Sequence, residues 1–271
     1  DTNVGPKKVE ANRNFVNKIW NMGRFVISAI DSLTPDSPLP QGEGLGVRAG
    51  DYTLADSWIW AKLQQLVRDV ERNFQNFQYG QAGQQIYDFI WNDFADWYVE
   101  VAKEQLKDDA TQARTVDTLA RVFDMSLRLL HPFIPFVTED VWGHLRRAML
   151  DSGASHIFDD SPNALIVAKW PEPRPLEGWE ESKITDFEMI QEIVRAIRNL
   201  RAEKSVAPSK RIAANISAGA KTELLKDQAQ VIASLASLDY SLLSISQSLP
   251  EKPKDAIAIV VGSIEIYLPL A

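Results

Sequence analysis

The chain contains no cysteine, which excludes disulfides, thiolate metal sites and cysteine nucleophiles. Its apolar runs are short, and none approaches the roughly 18 residues that a membrane-spanning helix requires. The first residues, DTNVGPKKVE, lack the charged and then apolar build of a signal peptide. We therefore expect a cytoplasmic protein without a membrane partner. Because residue 1 is Asp and not Met, we also expect a piece of a longer chain.

Sequence signatures of catalysis are absent too. The three histidines, His131, His144 and His156, do not have a metal-ligand spacing such as HExxH. No GxSxG, GxxxxGK[ST] or GxGxxG motif occurs. The closely spaced glycines at 42, 44 and 46 are flanked by prolines, which indicates a turn and not a phosphate loop. We predict no catalytic residue, no metal and no cofactor in this chain.

Four acidic residues on one predicted helix could be imagined as an acid/base pair. They are Asp88, Asp93, Asp96 and Glu100. Their spacing fits a solvated helix face opposite apolar residues better than a catalytic site.

The net charge of −8 argues at first against a nucleic-acid partner, but the charge is unevenly distributed. Residues 1–30 carry five Lys/Arg against two Asp/Glu, and residues 184–211 carry six against four. Residues 31–183 carry fourteen against twenty-five. Local patches decide which partner a surface attracts, so two small basic regions on an acidic body remain candidates for an anionic partner.

Hydrophobic periodicity predicts a mainly α protein, an antiparallel helical bundle over residues 1–173. A first helix begins near Pro6, with Phe15, Ile19, Met22 and Val26 on one face. After a long Pro/Gly loop at 31–52, further helices are predicted over about 55–76, 79–106, 111–130 and 135–150. Asp56 or Ser57 would cap the second helix and Thr138 the fifth.

The period changes after a proline-rich linker at 174–183. A helix over 184–203, a strand in RIAANISA, a second helix in KTELLKDQAQVIASLAS and three more strands predict a small α+β domain over 184–271. Gly262-Ser263 is expected to form the hairpin turn between the last two strands.

The first helix carries a polar stripe opposite its apolar face, which is the first candidate binding surface. Arg and Lys neutralise phosphates, and Asn amides pair with the edges of unstacked bases. Trp20, at the boundary of the stripe, could stack on a splayed base. The same spacing also fits an ordinary solvated face with a core tryptophan at its margin. The candidate residues are Lys7, Lys8, Arg13, Asn14, Asn17, Lys18, Trp20, Asn21 and Arg24.

A second basic stripe lies in IVRAIRNLRAEK, where Arg195 and Arg198 oppose apolar residues and Arg201 lies near the helix end. Arginines in the last turns also complement a helix dipole, so a purely structural role remains open.

Several segments resemble one family in the expected order. RNFVNKIWNMGRFV resembles the RNFxNKxWNxxRFV opening of the anticodon-binding helical domain of class I aminoacyl-tRNA synthetases for branched aliphatic amino acids. LADSWIWAKL, YDFIWNDFADWYVEVAK, HPFIPFVTEDVW and AKWPEP are similar to its later motifs, with Ala95 where a Cys is usual. IRNLRAEKSVAPSKRI and SIEIYLPLA resemble the valyl enzymes within this group. The HIGH and KMSKS signatures of the catalytic domain, and any editing domain, are absent.

The resemblance implies the tRNA-binding, non-catalytic part of a valine-tRNA ligase. Valine tRNA and the enzyme's own catalytic domain are the expected partners, and the chain is expected to be monomeric. ATP and Mg would belong to the catalytic domain. The first helix would contact the anticodon loop, and Arg195, Arg198 and Arg201 would contact the tRNA backbone. An isoleucyl or leucyl enzyme, or a helical scaffold without an RNA role, are the alternatives.

Overall fold

The computed structural model describes residues 5–33, 52–152, 162–249 and 255–269. Most of the predicted Pro/Gly loop at 31–52 therefore lies outside the described residues. The chain divides into two compact units, residues 1–184 and residues 185–271. The first is helical and the second combines helices with a sheet, as the sequence predicts.

The first unit is a bundle of long helices with one π-helical stretch. Its elements are α1 (Pro6–Asp31), α2 (Leu54–Gln75), α3 (Tyr79–Asp88), the π segment (Phe89–Tyr98), α4 (Val99–Gln105), α5 (Asp109–Leu130) and α6 (Pro135–Asp151). A 3-10 turn at Leu165–Val167 interrupts the strap that follows.

Helix α1 begins at a proline. Backbone N–H groups in the first turn have no partner within the helix, so the missing N–H of proline costs nothing there. Its predicted apolar face is buried, since Phe15, Ile19, Met22 and Val26 are each at most 7% exposed. Burying side chains of this size contributes ~1.5–3 kcal/mol each. This burial fixes which face of α1 points to solvent.

The N-terminal cap of α2 differs from the prediction. Thr53 is the cap, and it accepts a hydrogen bond from the Asp56 backbone N–H at 3.1 Å, while the Asp56 carboxylate accepts from the Thr53 N–H at 3.3 Å. This reciprocal arrangement is a capping box. Asp56 is therefore the third helical residue, and neither Asp56 nor Ser57 is the cap.

The single helix predicted over 79–106 contains a π-helical middle. This segment lies between two neighbours and is tied to each by an ion pair. Asp93 lies 3.7 Å from Lys62 of α2, and Asp96 lies 2.6 Å from Lys18 of α1. Phe94 stacks on Phe123 of α5 with ring centroids 5.9 Å apart. The π segment is thus in contact with three other helices of the bundle.

Thr138 does not cap α6. It is fully buried inside the helix, and its hydroxyl donates to the carbonyls of Ile134 and Pro135 at 3.0 and 3.1 Å. The helix starts at Pro135, which needs no backbone N–H partner.

The second unit pairs its strands in the order β2-β1-β4-β3. Its elements are α7 (Glu180–Glu203, which begins in the first unit), β1 (Ile212–Ser217), α8 (Thr222–Asp227), α9 (Ala229–Ala236), β2 (Leu238–Ser246), β3 (Ile257–Val261) and β4 (Ile264–Leu268). The helix predicted between β1 and β2 is thus two short helices. Strand β1 runs parallel to β2 and antiparallel to β4. Gly262, at φ +58°, makes the predicted hairpin turn, where its lack of a Cβ avoids strain.

Candidate nucleic-acid interface

The solvent face of α1 brings five of the predicted site residues together. Because the opposite face is buried, these five side chains are all exposed along about three turns of helix. Arg13 also forms an exposed ion pair with Glu10 at 3.8 Å, which is worth little in water. The surface that these residues form, called the α1 face below, consists of Arg13, Asn14, Asn17, Asn21 and Arg24.

Lys7 is exposed at the start of the same helix, and the side chain of Lys8 lies outside the described part of the structure. A lysine near the first turn gains no favourable interaction with the helix dipole. Its exposed ammonium group is accessible to an anion from solvent.

Lys18 is placed differently from the rest of the stripe. Its ammonium lies 2.6 Å from the Asp96 carboxylate and 3.8 Å from the centroid of the Trp91 ring, and its side chain is 20% exposed. Lys18 therefore ties α1 to the π segment, and a phosphate would have to compete with Asp96 for it.

Trp20 lies at the edge of the α1 face and borders a cleft between α1 and α6. The cleft has a volume of about 620 Å³, and Asn21, Arg24, Val141 and His144 also line it. The Trp20 and His144 rings lie 6.2 Å apart at 57°. The cleft combines an aromatic wall, amide and cationic groups, which suits a planar polar ligand such as a base.

Gly23 sets the spacing between α1 and α6 beside this cleft. A Cβ at this position would lie 2.9 Å from a methyl carbon of Val141. The helices can approach this closely only because the residue is glycine. Gly23 and His144 also line the cleft. The sequence pattern did not predict this role, because it depends on which helix packs against α1.

In the second unit, Arg195 and Arg198 are exposed on α7. The Nε of Arg198 donates to the Leu235 carbonyl at 2.8 Å, so this side chain is held against the end of α9. These two residues remain together on one face of α7 as the spacing predicts, and their contact with RNA stays a prediction.

Arg201 requires a correction. It is 5% exposed, and its guanidinium donates to the carbonyls of Ser237, Ala207 and Lys210 at 3.2, 3.2 and 2.8 Å. It ties the end of α7 to the following turn and to the α9–β2 corner. A side chain committed to three carbonyls is not available to a phosphate, so Arg201 leaves the candidate set.

The ionisable groups inside the bundle serve its packing. The Asp56 carboxylate accepts a hydrogen bond from the Tyr98 hydroxyl at 2.6 Å, and burial raises the pKa of Asp56 to about 6. Asp124 accepts from the Trp142 indole at 2.6 Å and pairs with Arg128 at 2.9 Å. Burial also raises the pKa of Asp124. Both carboxylates are buried and hydrogen-bonded to neighbouring side chains, as is typical of groups that hold a core together.

The acidic residues of the third predicted helix are spread over its surface. Asp93 and Asp96 form ion pairs with lysines of other helices. Asp88 accepts a hydrogen bond from the Gln84 amide, and Glu100 forms an ion pair with Lys103. Among the described residues, no three His, Asp or Glu side chains are grouped as metal ligands would be. None of the helices described is both long and apolar enough to cross a membrane.

The helical unit thus carries an exposed face of cationic and amide side chains beside an aromatic cleft, and known proteins share its sequence. The family profile described as "Anticodon-binding domain of tRNA ligase" matches residues 56–216, more than half of the chain. The chain belongs to this family.

Similar curated proteins are valine–tRNA ligases. That of Bacillus cereus (strain ATCC 14579) is 34% identical over 281 residues, and that of Geobacillus stearothermophilus is 35% identical over 276. A chloroplastic/mitochondrial valine–tRNA ligase of Arabidopsis thaliana is 35% identical over 283 residues. The alignments cover 100% of this chain but only 27–28% of each relative. The chain thus spans about a quarter of the length of these family members.

Proposed function

We propose that this chain is the tRNA-binding part of a valine–tRNA ligase and holds the anticodon stem-loop of valine tRNA on the α1 face. A catalytic domain outside this chain would then attach valine to the bound tRNA, with ATP and Mg serving that domain. The proposal places the protein in the cytoplasm and treats it as a monomer.

The observation that carries the proposal is the composition of the α1 face in a chain of this family. Its two arginines are exposed and can meet phosphates, while its three asparagines offer both donors and acceptors to unpaired bases. The adjoining cleft adds the Trp20 and His144 rings. The net charge of −8 gives the chain as a whole no attraction for phosphates, so contacts with RNA depend on local basic surfaces such as this face.

A filter-binding titration with a valine anticodon stem-loop at increasing salt tests the proposal. Each phosphate contact lowers the logarithm of the affinity by about 0.7–0.9 per tenfold rise in salt, so we expect affinity to fall steeply. Arg24→Gln should weaken binding and reduce the salt slope by about one contact. Lys18→Ala should weaken binding less, because Asp96 already neutralises Lys18.

Arg72→Gln is the matched control, since Arg72 is 67% exposed on α2 and does not belong to the α1 face. Equal effects of Arg24→Gln and Arg72→Gln, or an affinity that does not change with salt, would refute the proposal. Competition with stem-loops that differ only in the anticodon separates a valine enzyme from an isoleucine or leucine enzyme. The valine anticodon should compete best.

A further inference from the structure

A second cleft runs along α6 and adjoins the first one, because His144 lines both. It has a volume of about 610 Å³ and lies between α6 and the strap around Ile166. Pockets of 300–1,000 Å³ are the size that takes small planar ligands. Nothing in the α1 stripe of the sequence points to this second cleft.

The cleft is a built feature and not a gap beside a loose strap. The Glu139 carboxylate accepts hydrogen bonds from the backbone N–H groups of Leu165 and Ile166 at 2.7 and 3.1 Å, which holds the strap against α6. His131 is fixed in turn, because its Nδ1 lies 2.8 Å from the Thr138 hydroxyl. The walls are therefore positioned before any ligand arrives.

The most conspicuous group at this cleft is the ring of Phe136, which is 91% exposed. Ile166 on the opposite wall is 71% exposed. Leaving a phenyl ring in water forgoes the burial that would stabilise the fold, so this ring contributes little to the stability of the bundle. It offers a flat apolar surface on which a planar ring can stack.

The polar groups of the cleft favour a neutral, hydrogen-bonding ring over a phosphate. The Nε2 of His131 is buried 3.9 Å from the Glu139 carboxylate, so this imidazole belongs to the wall of the cleft and does not contact a ligand. Arg147 and His144 supply donors, but Glu139 and Asp140 also line the cleft, and Asp140 lies 3.8 Å from His144. Because two carboxylates line the cleft beside one arginine, a phosphate gains little here, whereas a base can stack on the Phe136 ring and hydrogen-bond to the exposed His144 imidazole.

We propose that this second cleft binds one unpaired nucleobase of the RNA that lies on the α1 face, with the base stacked on Phe136. The inference rests on the proposed function and extends it to α6. His144 joins the two clefts, so a strand can pass from the Arg24 side of α1 to Phe136 without leaving the surface. The backbone stays with the cations and the base enters the cleft.

The test combines a variant of the protein with the removal of single bases from the RNA. Stem-loops that carry an abasic site at each unpaired position in turn are bound to the wild-type chain and to Phe136→Ala. We expect Phe136→Ala to weaken binding of the intact stem-loop by on the order of 10-fold. At one position, removing the base should weaken binding to the wild-type chain by a similar factor. Removing that same base should not weaken binding to Phe136→Ala any further. Phe136→Tyr, which keeps the ring, should retain the affinity.

Phe77→Ala is the control, because Phe77 is also an exposed phenylalanine, at 78%, and lines neither cleft. If Phe136→Ala binds as tightly as Phe77→Ala while Arg24→Gln is weakened, the second cleft does not take a base and only this inference is overturned. If the binding energy lost by Phe136→Ala and that lost by removing a base add up at every position, the inference is overturned as well. If the wild-type chain binds no stem-loop, the proposed function itself fails.

Discussion

Replacing Asp56 by asparagine should remove a pH dependence from the stability of the helical bundle. The Asp56 carboxyl is fully buried, and burial raises its pKa from 3.8 to about 6. Tyr98 donates to one oxygen at 2.6 Å and the Thr53 N–H donates to the other at 3.3 Å. An asparagine can keep both contacts, because its amide can donate to the Tyr98 hydroxyl while its oxygen accepts from Thr53.

The sign follows from the raised pKa. The folded bundle holds the Asp56 proton more tightly than the unfolded chain, so its stabilising contribution is complete below pH 3.8 and is lost as pH rises to about 6. A rise from 3.8 to about 6 corresponds to ~3 kcal/mol in the free energy of unfolding. Asparagine does not titrate, so the stability of Asp56→Asn relative to wild type should rise by most of this amount between pH 4 and pH 7.

Urea unfolding followed by tryptophan fluorescence measures this difference. All eight tryptophans lie within residues 1–184, so the signal reports the bundle and not the second unit. The contributions of the other carboxyl groups, including that of Asp124, cancel when the variant is compared with wild type at each pH. A difference in unfolding free energy that stays constant from pH 4 to pH 7 would show that Asp56 ionises normally and would refute the reasoning.

Two further predictions concern residues that hold elements together. Arg201→Met should leave three backbone carbonyls without a hydrogen-bond donor, and each lost hydrogen bond should cost ~1 kcal/mol of local stability. Hydrogen exchange of the backbone amides around residues 205–217 and 234–246 should therefore become faster, by up to about 100-fold. The exposed Arg195→Met is its control, and equal exchange in both variants would contradict the structural role of Arg201. Gly23→Ala should lower bundle stability by ~1–2 kcal/mol, because overpacking against Val141 outweighs the gain in helix propensity. Gly143→Ala, with nothing within 4 Å of its added Cβ, should instead stabilise α6 slightly, and the prediction fails if the two alanines behave alike in urea unfolding.

The helices were predictable where one face had to be buried. The spacing of Phe15, Ile19, Met22 and Val26 is enough to orient α1, and the change of period after residue 183 is enough to predict a second, mixed unit. Family-like motifs in their expected order identified the family more firmly than any spacing did, since spacing alone left a solvated helix face open as an alternative.

Details that depend on a neighbour were missed. The capping box of α2 depends on Thr53, one turn before the residues suggested as caps, and Thr138 lies inside a helix that begins at Pro135. The π segment within the helix predicted over 79–106 was not predicted either. For the candidate site, sequence placed the α1 face correctly on one exposed surface, but it could not separate Arg24, which faces solvent, from Lys18, which faces Asp96.

By itself the sequence determined the class of protein: helices from apolar periodicity, no thiol chemistry from the missing cysteine, and family membership from ordered motifs. The tertiary structure decided what each charged or aromatic side chain is free to do. Arg201 and Arg24 look alike in sequence, yet one is enclosed by three carbonyls and the other lines a cleft with Trp20. The reason is physical: period and charge are properties of one segment, whereas burial, partners and clefts exist only between segments that folding brings together.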